Sequence, residues 1–315
     1  MAALLHLIVF AVALQNQGAR RPHAAEPCGD PVAFQVRLDR RGFSAGEIDG
    51  TLGDNAARAL TAFQRAHGLP ATGRADCATW KALDSPDAPE PLTTYRITDA
   101  DARGPFTPEI PADLTEQAHL PALNYRNLTE ELAERFHAAP QLLVALNRGR
   151  KLEPGETIRV PNVTPYVPVK THPAAARPRE VTIEVSRGTS SLRVTAADGT
   201  LVFDAPVSSG SEHDPLPLGR WHVTAVDWMP TFHYNPALFW DADPSHAQAI
   251  IKPGPNGPVG AVWIDINVPH YGLHGSGEPA LIGHAQSHGC VRLTNWDAAK
   301  LAAMVRPGTP VIFKE

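Results

Sequence analysis

The sequence predicts a multidomain α+β protein with a small three-helix module, a βααβ module and a mainly β C-terminal domain. Apolar residues near the N-terminus recur at helical spacing, whereas apolar and polar residues alternate beyond residue 180. Proline-rich stretches separate the parts. With 31 prolines in 315 residues, the chain is too long and too punctuated for one small domain.

Composition narrows the class of protein. Hydrophobic residues make up 43% of the chain, which excludes disorder of the whole. The 28 basic and 33 acidic residues give a net charge of −5, so we expect no basic surface and no nucleic-acid partner.

The chain begins with an apolar run over residues 2–14, too short to span a bilayer but suited to the core of a secretory signal. We predict a signal peptide over residues 1–25 and export to the periplasm or cell envelope. The segment before this run contains no Lys or Arg, so an uncleaved anchor or a misassigned start codon stays an alternative.

A lone cysteine near the C-terminus defines the candidate chemistry. Cys290 follows His288 and Gly289, and His274 stands 14 residues before His288. A thiol attacks as its thiolate and needs a positioned base, for which imidazole titrates in a useful range. Gly289 has no Cβ to block a substrate carbonyl, and the N–H groups of Gly289 and Cys290 are candidate donors to an oxyanion. Together these residues predict an acyl-transfer site.

The pattern HGSG followed by SHGCVRL resembles the catalytic signature of the L,D-transpeptidases of bacterial cell walls. The resemblance runs from Val181 to the end and predicts a catalytic domain over residues 181–315. Alternating residues predict a sandwich or barrel with the cysteine on a loop. The predicted elements are strands at 181–185, 192–194, 201–203, 219–226 and 311–313, and a helix at 296–305.

The family resemblance assigns roles to individual residues. It implies that Cys290 is the nucleophile and that His274 takes the thiol proton, with the carbonyl of Gly275 orienting its ring. Arg292 is suited to holding a substrate carboxylate, and its alternative is a structural ion pair. The remaining predicted site residues shape the pocket and the oxyanion site or bind substrate: His288, Ser287, Gly289 and Tyr271.

The resemblance also implies a two-step reaction without a cofactor. Cys290 attacks the carbonyl before a terminal D-alanine of a peptidoglycan stem peptide, and an amine of a second stem resolves the thioester into a 3→3 cross-link. Water as acceptor would make an L,D-carboxypeptidase. The lysine of an outer-membrane lipoprotein is a third acceptor, and the sequence leaves the choice open.

Two alternatives come from other classes of protein. A zinc site could use His274, His284, His288 and Cys290, although the usual HExxH and CxxC spacings are absent from the sequence. A catalytically inactive wall-binding protein is the second alternative, since two accessory modules precede the cysteine.

Residues 28–84 resemble the three-helix peptidoglycan-binding domain that accompanies wall enzymes. The resemblance rests on Gly-Phe, Ile-Asp-Gly, Ala-Phe-Gln and Gly-Leu-Pro-x-Thr-Gly elements. Cys28 and Cys77 flank this module, and an exported protein meets oxidising conditions, so we predict a disulfide between them. Two independent thiols are the alternative.

Residues 94–163 resemble the lysin motif, a βααβ fold that holds glycan chains. Strands at Tyr95–Thr98 and Leu152–Pro161 enclose helices at Leu128–Phe136 and Leu142–Leu146. An insertion of about 26 residues, Asp99–Asn124, follows the first strand, where the family has a tight turn. A structural spacer is the alternative role. Residues 164–180 form a proline-rich linker.

Overall fold

The structure, a computed structural model, describes residues 28–84, 87–171 and 180–315. The predicted signal peptide over 1–25 lies outside these ranges, as do residues 172–179 of the predicted linker. No helix within the described ranges is long and apolar enough to cross a membrane.

Within residues 28–84, three helices form the first module: α1 (Pro31–Arg40), α2 (Asp54–Ala66) and α3 (Cys77–Leu83). The Asp30 carboxylate accepts a hydrogen bond from Ala33 N at 3.0 Å, and the Asp76 carboxylate accepts one from Thr79 N at 2.8 Å. These caps satisfy amide groups that a helix start leaves unpaired. The apolar stripes of the helices meet in a common core of Phe34, Leu38, Leu60, Phe63 and Leu83.

A disulfide closes this module. It joins Cys28, just before α1, to Cys77, the first residue of α3, with 4.9 Å between the Cα atoms. Cys290 is free.

The middle module pairs its first and last strands. Its elements are β1 (Leu92–Arg96), α4 (Asp99–Arg103), α5 (Leu114–Gln117), α6 (Leu128–Arg135), α7 (Pro140–Leu146) and β2 (Thr157–Pro161). β1 and β2 are antiparallel, with Leu92 opposite Pro161, and β1 starts three residues before the predicted strand. α6 and α7 lie between them in sequence, as predicted. The resemblance to the lysin motif stays a prediction.

The insertion at Asp99–Asn124 contains α4 and α5 and contacts the C-terminal domain. Leu123 N donates to Pro253 O at 3.2 Å, and Asn256 N donates to Leu123 O at 3.0 Å. A Cβ at Gly254 would overlap with the Leu123 carbonyl, so this close approach of two backbones requires glycine. The insertion therefore joins the middle module to the C-terminal domain.

The strands within residues 180–315 are β3 (Val181–Ser186), β4 (Ser191–Ala196), β5 (Leu201–Pro206), β6 (Ser208–Ser209), β7 (Gly219–Trp228), β8 (Phe232–Tyr234), β9 (Ala249–Ile251), β10 (Val262–Ile266), β11 (Gly272–His274), β12 (Val291–Arg292) and β13 (Pro310–Lys314). Nine of them form one mixed sheet in the order β5-β4-β3-β13-β7-β10-β11-β12-β6. The other two, β8 and β9, pair antiparallel with each other.

The helix α8 (Asn295–Ala302) lies where all three parts of the chain meet. Ser44 of the first module donates from its hydroxyl to Asp297 Oδ2 at 2.7 Å. Asn295 Nδ2 donates to Glu134 Oε1 of the middle module at 3.0 Å. The accessory modules therefore pack directly on the C-terminal domain.

Candidate active site

The parallel strands β11 and β12 set the geometry of the site. Leu273 pairs with Val291, and His274 pairs with Arg292. Leu273 and Val291 are fully buried in the core. Because side chains alternate along a strand, His274 and Arg292 share the opposite face of the sheet. The same alternation brings Cys290 to this face, next to Gly272.

Two glycines make room beside the nucleophile. Gly289 has a φ of +96°, a conformation that favours glycine, and a Cβ there would overlap with the ring of Tyr271. A Cβ at Gly272 would contact the ring of Trp263 at 2.5 Å. The rings of Tyr271 and Trp263 therefore pack against the bare backbone of Gly289 and Gly272.

The ring of His274 is fixed by its own neighbour in the sequence. Its Nδ1 lies 2.7 Å from the carbonyl oxygen of Gly275. A carbonyl only accepts, so Nδ1 carries the proton and Nε2 is left as an acceptor. Burial lowers the pKa of His274 to about 3, and the positive charge of Arg292 acts in the same direction. The imidazole is therefore a neutral base at neutral pH.

The thiol of Cys290 is half-buried, and its Sγ lies 3.6 Å from the carbonyl oxygen of His270. Burial raises the pKa of Cys290 to about 11, against the opposing effects of a Gly272 backbone hydrogen bond and the charge of Arg292. The resting thiol is therefore protonated and needs a base during attack.

Ser287 and His288 hold the loop that carries the nucleophile. The Ser287 hydroxyl donates to the carbonyl oxygen of Cys290 at 2.6 Å and accepts from Gly210 N at 2.8 Å. It therefore acts on the backbone of the loop. His288 Nε2 lies 2.8 Å from Asp241 Oδ1, and the ring of Phe239 meets the imidazole edge-on.

The side chains of His274, His288, Cys290 and Arg292 line a cleft of about 1030 Å³. Its far wall comes from the insertion in the middle module, between Ile110 and Gln117, and from the segment 230–246. Among the described residues, two arginines and six carboxylates line it: Arg126, Arg292, Asp113, Asp214, Asp227, Asp241, Asp243 and Glu278. The cleft is therefore acidic, and of its two arginines Arg126 already pairs with Glu130 at 2.7 Å.

Sequence reasoning missed the residues that surround the predicted centre. Asp241 has no spacing that marks it as a partner of His288. Asp113 pairs with His246 at 3.1 Å across 133 residues of sequence. No local pattern indicates either contact, because Asp241 and His288 are 47 residues apart and the contact of Asp113 depends on how the insertion packs against the C-terminal domain.

The alternative zinc site would need His274, His284, His288 and Cys290 to lie close together. Across 28–84, 87–171 and 180–315, no three His, Cys, Asp or Glu side chains are grouped to hold a metal ion. His284 is exposed.

Two family models match the chain. Residues 180–313 match YkuD, described as the L,D-transpeptidase catalytic domain. Residues 29–83 match a family described as "Putative peptidoglycan binding domain". Neither range includes the lysin-motif-like residues 94–163.

Curated relatives carry the same family name. The chain is 47% identical over 60 residues to "Putative L,D-transpeptidase YkuD" of Bacillus licheniformis, a match that covers 19% of this chain and 36% of that protein. It is 24% identical over 159 residues to "Putative L,D-transpeptidase YqjB" of Bacillus subtilis, covering 49% of this chain and 80% of that protein. The chain thus spans about a third of the length of the first relative.

Solved structures of L,D-transpeptidases are also similar. The enzyme from Mycobacterium smegmatis is 19% identical, with a TM-score of 0.36 over 53% of this chain and 76% of that one. L,D-transpeptidase 3 from Mycobacterium tuberculosis is 15% identical, with a TM-score of 0.37 over 52% and 77% of the two chains. Residues 180–313 are thus similar to the L,D-transpeptidase catalytic domain and residues 29–83 to the putative peptidoglycan-binding domain.

Proposed function

We propose that this protein is an L,D-transpeptidase that remodels bacterial peptidoglycan by way of a Cys290 thioester. The placement of a neutral His274 and of the Cys290 thiol in one cleft, on the same face of the sheet, carries this proposal. Attack by a protonated thiol requires an acceptor such as His274 Nε2 to take the thiol proton.

In the first step, Cys290 Sγ attacks the carbonyl carbon of the L-centre residue before the terminal D-alanine of a tetrapeptide stem. The thiol proton passes to His274 Nε2 as the carbon–sulfur bond forms. His274 then returns this proton to the departing amine, so D-alanine leaves and a thioester remains. No cofactor takes part.

In the second step, an amine attacks the thioester carbonyl and His274 Nε2 accepts its proton. The carbon–sulfur bond breaks, and the proton returns to the Cys290 sulfur. The acidic lining of the cleft supports an acceptor that arrives as an ammonium ion and loses one proton to solvent before the neutral amine attacks, and Arg292 suits a carboxylate of a stem peptide. The acceptor is a stem amine, giving a 3→3 cross-link, or the lysine of an outer-membrane lipoprotein.

The accessory modules fit the same substrate. The family match of residues 29–83 supports binding of peptidoglycan there. The lysin-motif-like module would hold the glycan chain, and the N-terminal apolar run would direct export to the periplasm or envelope. These three roles belong to the proposal.

Mass spectrometry of purified tetrapeptide stems incubated with the protein tests it. We expect the wild type to release D-alanine and to yield cross-linked dimers, and Cys290→Ala to yield neither while remaining folded. Product mass also identifies the acceptor, since a tripeptide without dimer means water. Dimer formation by Cys290→Ala would contradict the proposed nucleophile.

A further inference from the structure

A buried polar network runs from the middle module to the back of the catalytic strands. Glu134 of α6 is 5% exposed and Asn295 of α8 is fully buried, although 161 residues separate them. The two amide protons of Asn295 are both used, because Nδ2 donates to Glu134 Oε1 at 3.0 Å and to Pro255 O at 2.9 Å.

The amide oxygen of Asn295 faces the strands that hold the base. Asn295 Oδ1 accepts a hydrogen bond from Ala261 N at 2.9 Å. A Cβ at Gly275 or at Gly260 would overlap with this oxygen, so the amide packs directly on both backbones. Gly275 provides the carbonyl that binds His274 Nδ1. The position of the Asn295 amide therefore limits where that carbonyl lies.

Glu134 anchors the other end of the network. Its Oε1 also accepts a hydrogen bond from the Tyr125 hydroxyl at 2.9 Å. Burial raises the pKa of Glu134 to about 8, so the carboxyl group is neutral at pH 7 and presents an acceptor oxygen to two donors. Removal of this oxygen would leave two buried donors unpaired, and the Asn295 amide would move to find another partner.

We propose that Glu134 is a positioning residue for catalysis: it fixes Asn295, which holds the Gly275 backbone and thereby the imidazole of His274. The middle module then helps to position the catalytic base, in addition to any role in binding the substrate. This inference rests on the proposed function, in which His274 is the base.

The test measures acylation of Cys290 in the full chain by intact-protein mass spectrometry, with a tetrapeptide stem and with a carbapenem. The variants are Glu134→Ala, Glu134→Asp and Glu134→Gln. Glutamine has the same side-chain length and keeps an acceptor oxygen near Asn295. The aspartate side chain is one methylene shorter, so its oxygen lies farther from Asn295. The control is Glu131→Ala, which removes a partner of Arg135 on the same helix, 2.6 Å away, without contact to Asn295.

We expect Glu134→Ala to lower the acylation rate constant by ~10–100-fold, because displacement of a catalytic group by about 1 Å costs that much. The concentration for half-maximal rate should change by less than about twofold, since the binding surface of the cleft is intact. Glu134→Gln should restore most of the rate, Glu134→Asp should lie between, and Glu131→Ala should acylate like the wild type.

Three outcomes would overturn the inference: wild-type rates in Glu134→Ala, a glutamine variant as slow as the alanine variant, or a loss confined to substrate affinity. If Glu134→Ala does not fold, the aspartate and glutamine variants decide, and equal rates in both contradict the inference. A wild-type protein that neither probe acylates contradicts the proposed function instead, so the two failures are distinguishable.

Discussion

The two histidines near the thiol have different partners. His288 lies 2.8 Å from the carboxylate of Asp241, whereas His274 binds the backbone carbonyl of Gly275 at 2.7 Å. The carboxylate ties the nucleophile loop to the segment 230–246, and the carbonyl fixes which nitrogen of His274 is free. These contacts suit a structural part for His288 and a base for His274.

His274→Ala should therefore suppress acylation of Cys290 by a carbapenem at neutral pH. General-base catalysis contributes about 10²–10⁴ in rate, so the loss should be large. Raising the pH toward the pKa of the thiol, about 11, should partly restore acylation, because solvent then supplies the thiolate. Rates are read by mass spectrometry across pH 6–10.

The matched variant is His288→Ala, which should weaken acylation without a marked rescue by alkali. Loss of the His288 side chain changes the conformation of the nucleophile loop, and a higher pH does not restore that conformation. Alkaline rescue in His288→Ala together with none in His274→Ala would reverse the two roles.

The raised pKa of Cys290 predicts the pH dependence of its alkylation in the resting protein. A free cysteine titrates near pH 8.5, so its reaction with iodoacetamide levels off above that pH. The rate for Cys290 should keep rising through pH 9 and 10, because burial places its pKa at about 11. The unfolded protein in denaturant, with its disulfide intact, is the control. A plateau near pH 8.5 in the folded protein would contradict the burial of the thiol.

Most of the architecture could be predicted because long periodic segments carry their own signal. The predicted strands at 181–185 and 219–226 lie within β3 and β7, and the predicted helix at 296–305 overlaps α8. The strands β6, β11 and β12 were missed, since two or three residues are too few to show alternation. β10 alternates clearly in its burial and could have been found.

The centre of the site could be predicted from local sequence, whereas its surroundings could not. Gly275 follows His274 directly, so a contact between them needs no tertiary information. The contacts of Asn295 with Glu134 and of His246 with Asp113 join residues more than 100 positions apart. They depend on how the middle module packs against the C-terminal domain, for which the sequence contains no periodic signal.

The disulfide between Cys28 and Cys77 should be present in protein isolated under oxidising conditions and should stabilise the first module. The two cysteines are 49 residues apart in the sequence, and a cross-link over that distance adds about 4 kcal/mol to the free energy of unfolding in the chain-entropy model. Counting alkylated thiols by mass should give one, Cys290, before reduction in denaturant and three after it. A Cys28→Ser/Cys77→Ser variant should unfold at lower denaturant concentration. Three thiols in the unreduced protein would disprove the pairing.

The carboxyl group of Glu47 should make the stability of the protein depend on pH. Burial raises its pKa to about 7, and the nearby charge of Asp49 adds to the rise. An unfolded chain has released this proton by pH 5–6 while the folded protein retains it, so stability falls as pH increases from about 4.5 to 7. This one group contributes up to ~1.4 kcal/mol of loss per pH unit.

Glu47→Gln should remove that contribution, because a carboxamide stays neutral at every pH in this range. Urea unfolding at pH 5, 6 and 7 should show a shallower decline for Glu47→Gln than for the wild type, with the variant gaining relative stability toward pH 7. The charge of Glu47 also raises the pKa of Glu134, so the difference between the curves reports Glu47 together with its effect on Glu134. Glu109→Gln, at an exposed position, is the control and should run parallel to the wild type. Parallel curves for all three proteins would mean that Glu47 is ionised in the folded state and that its burial is incomplete.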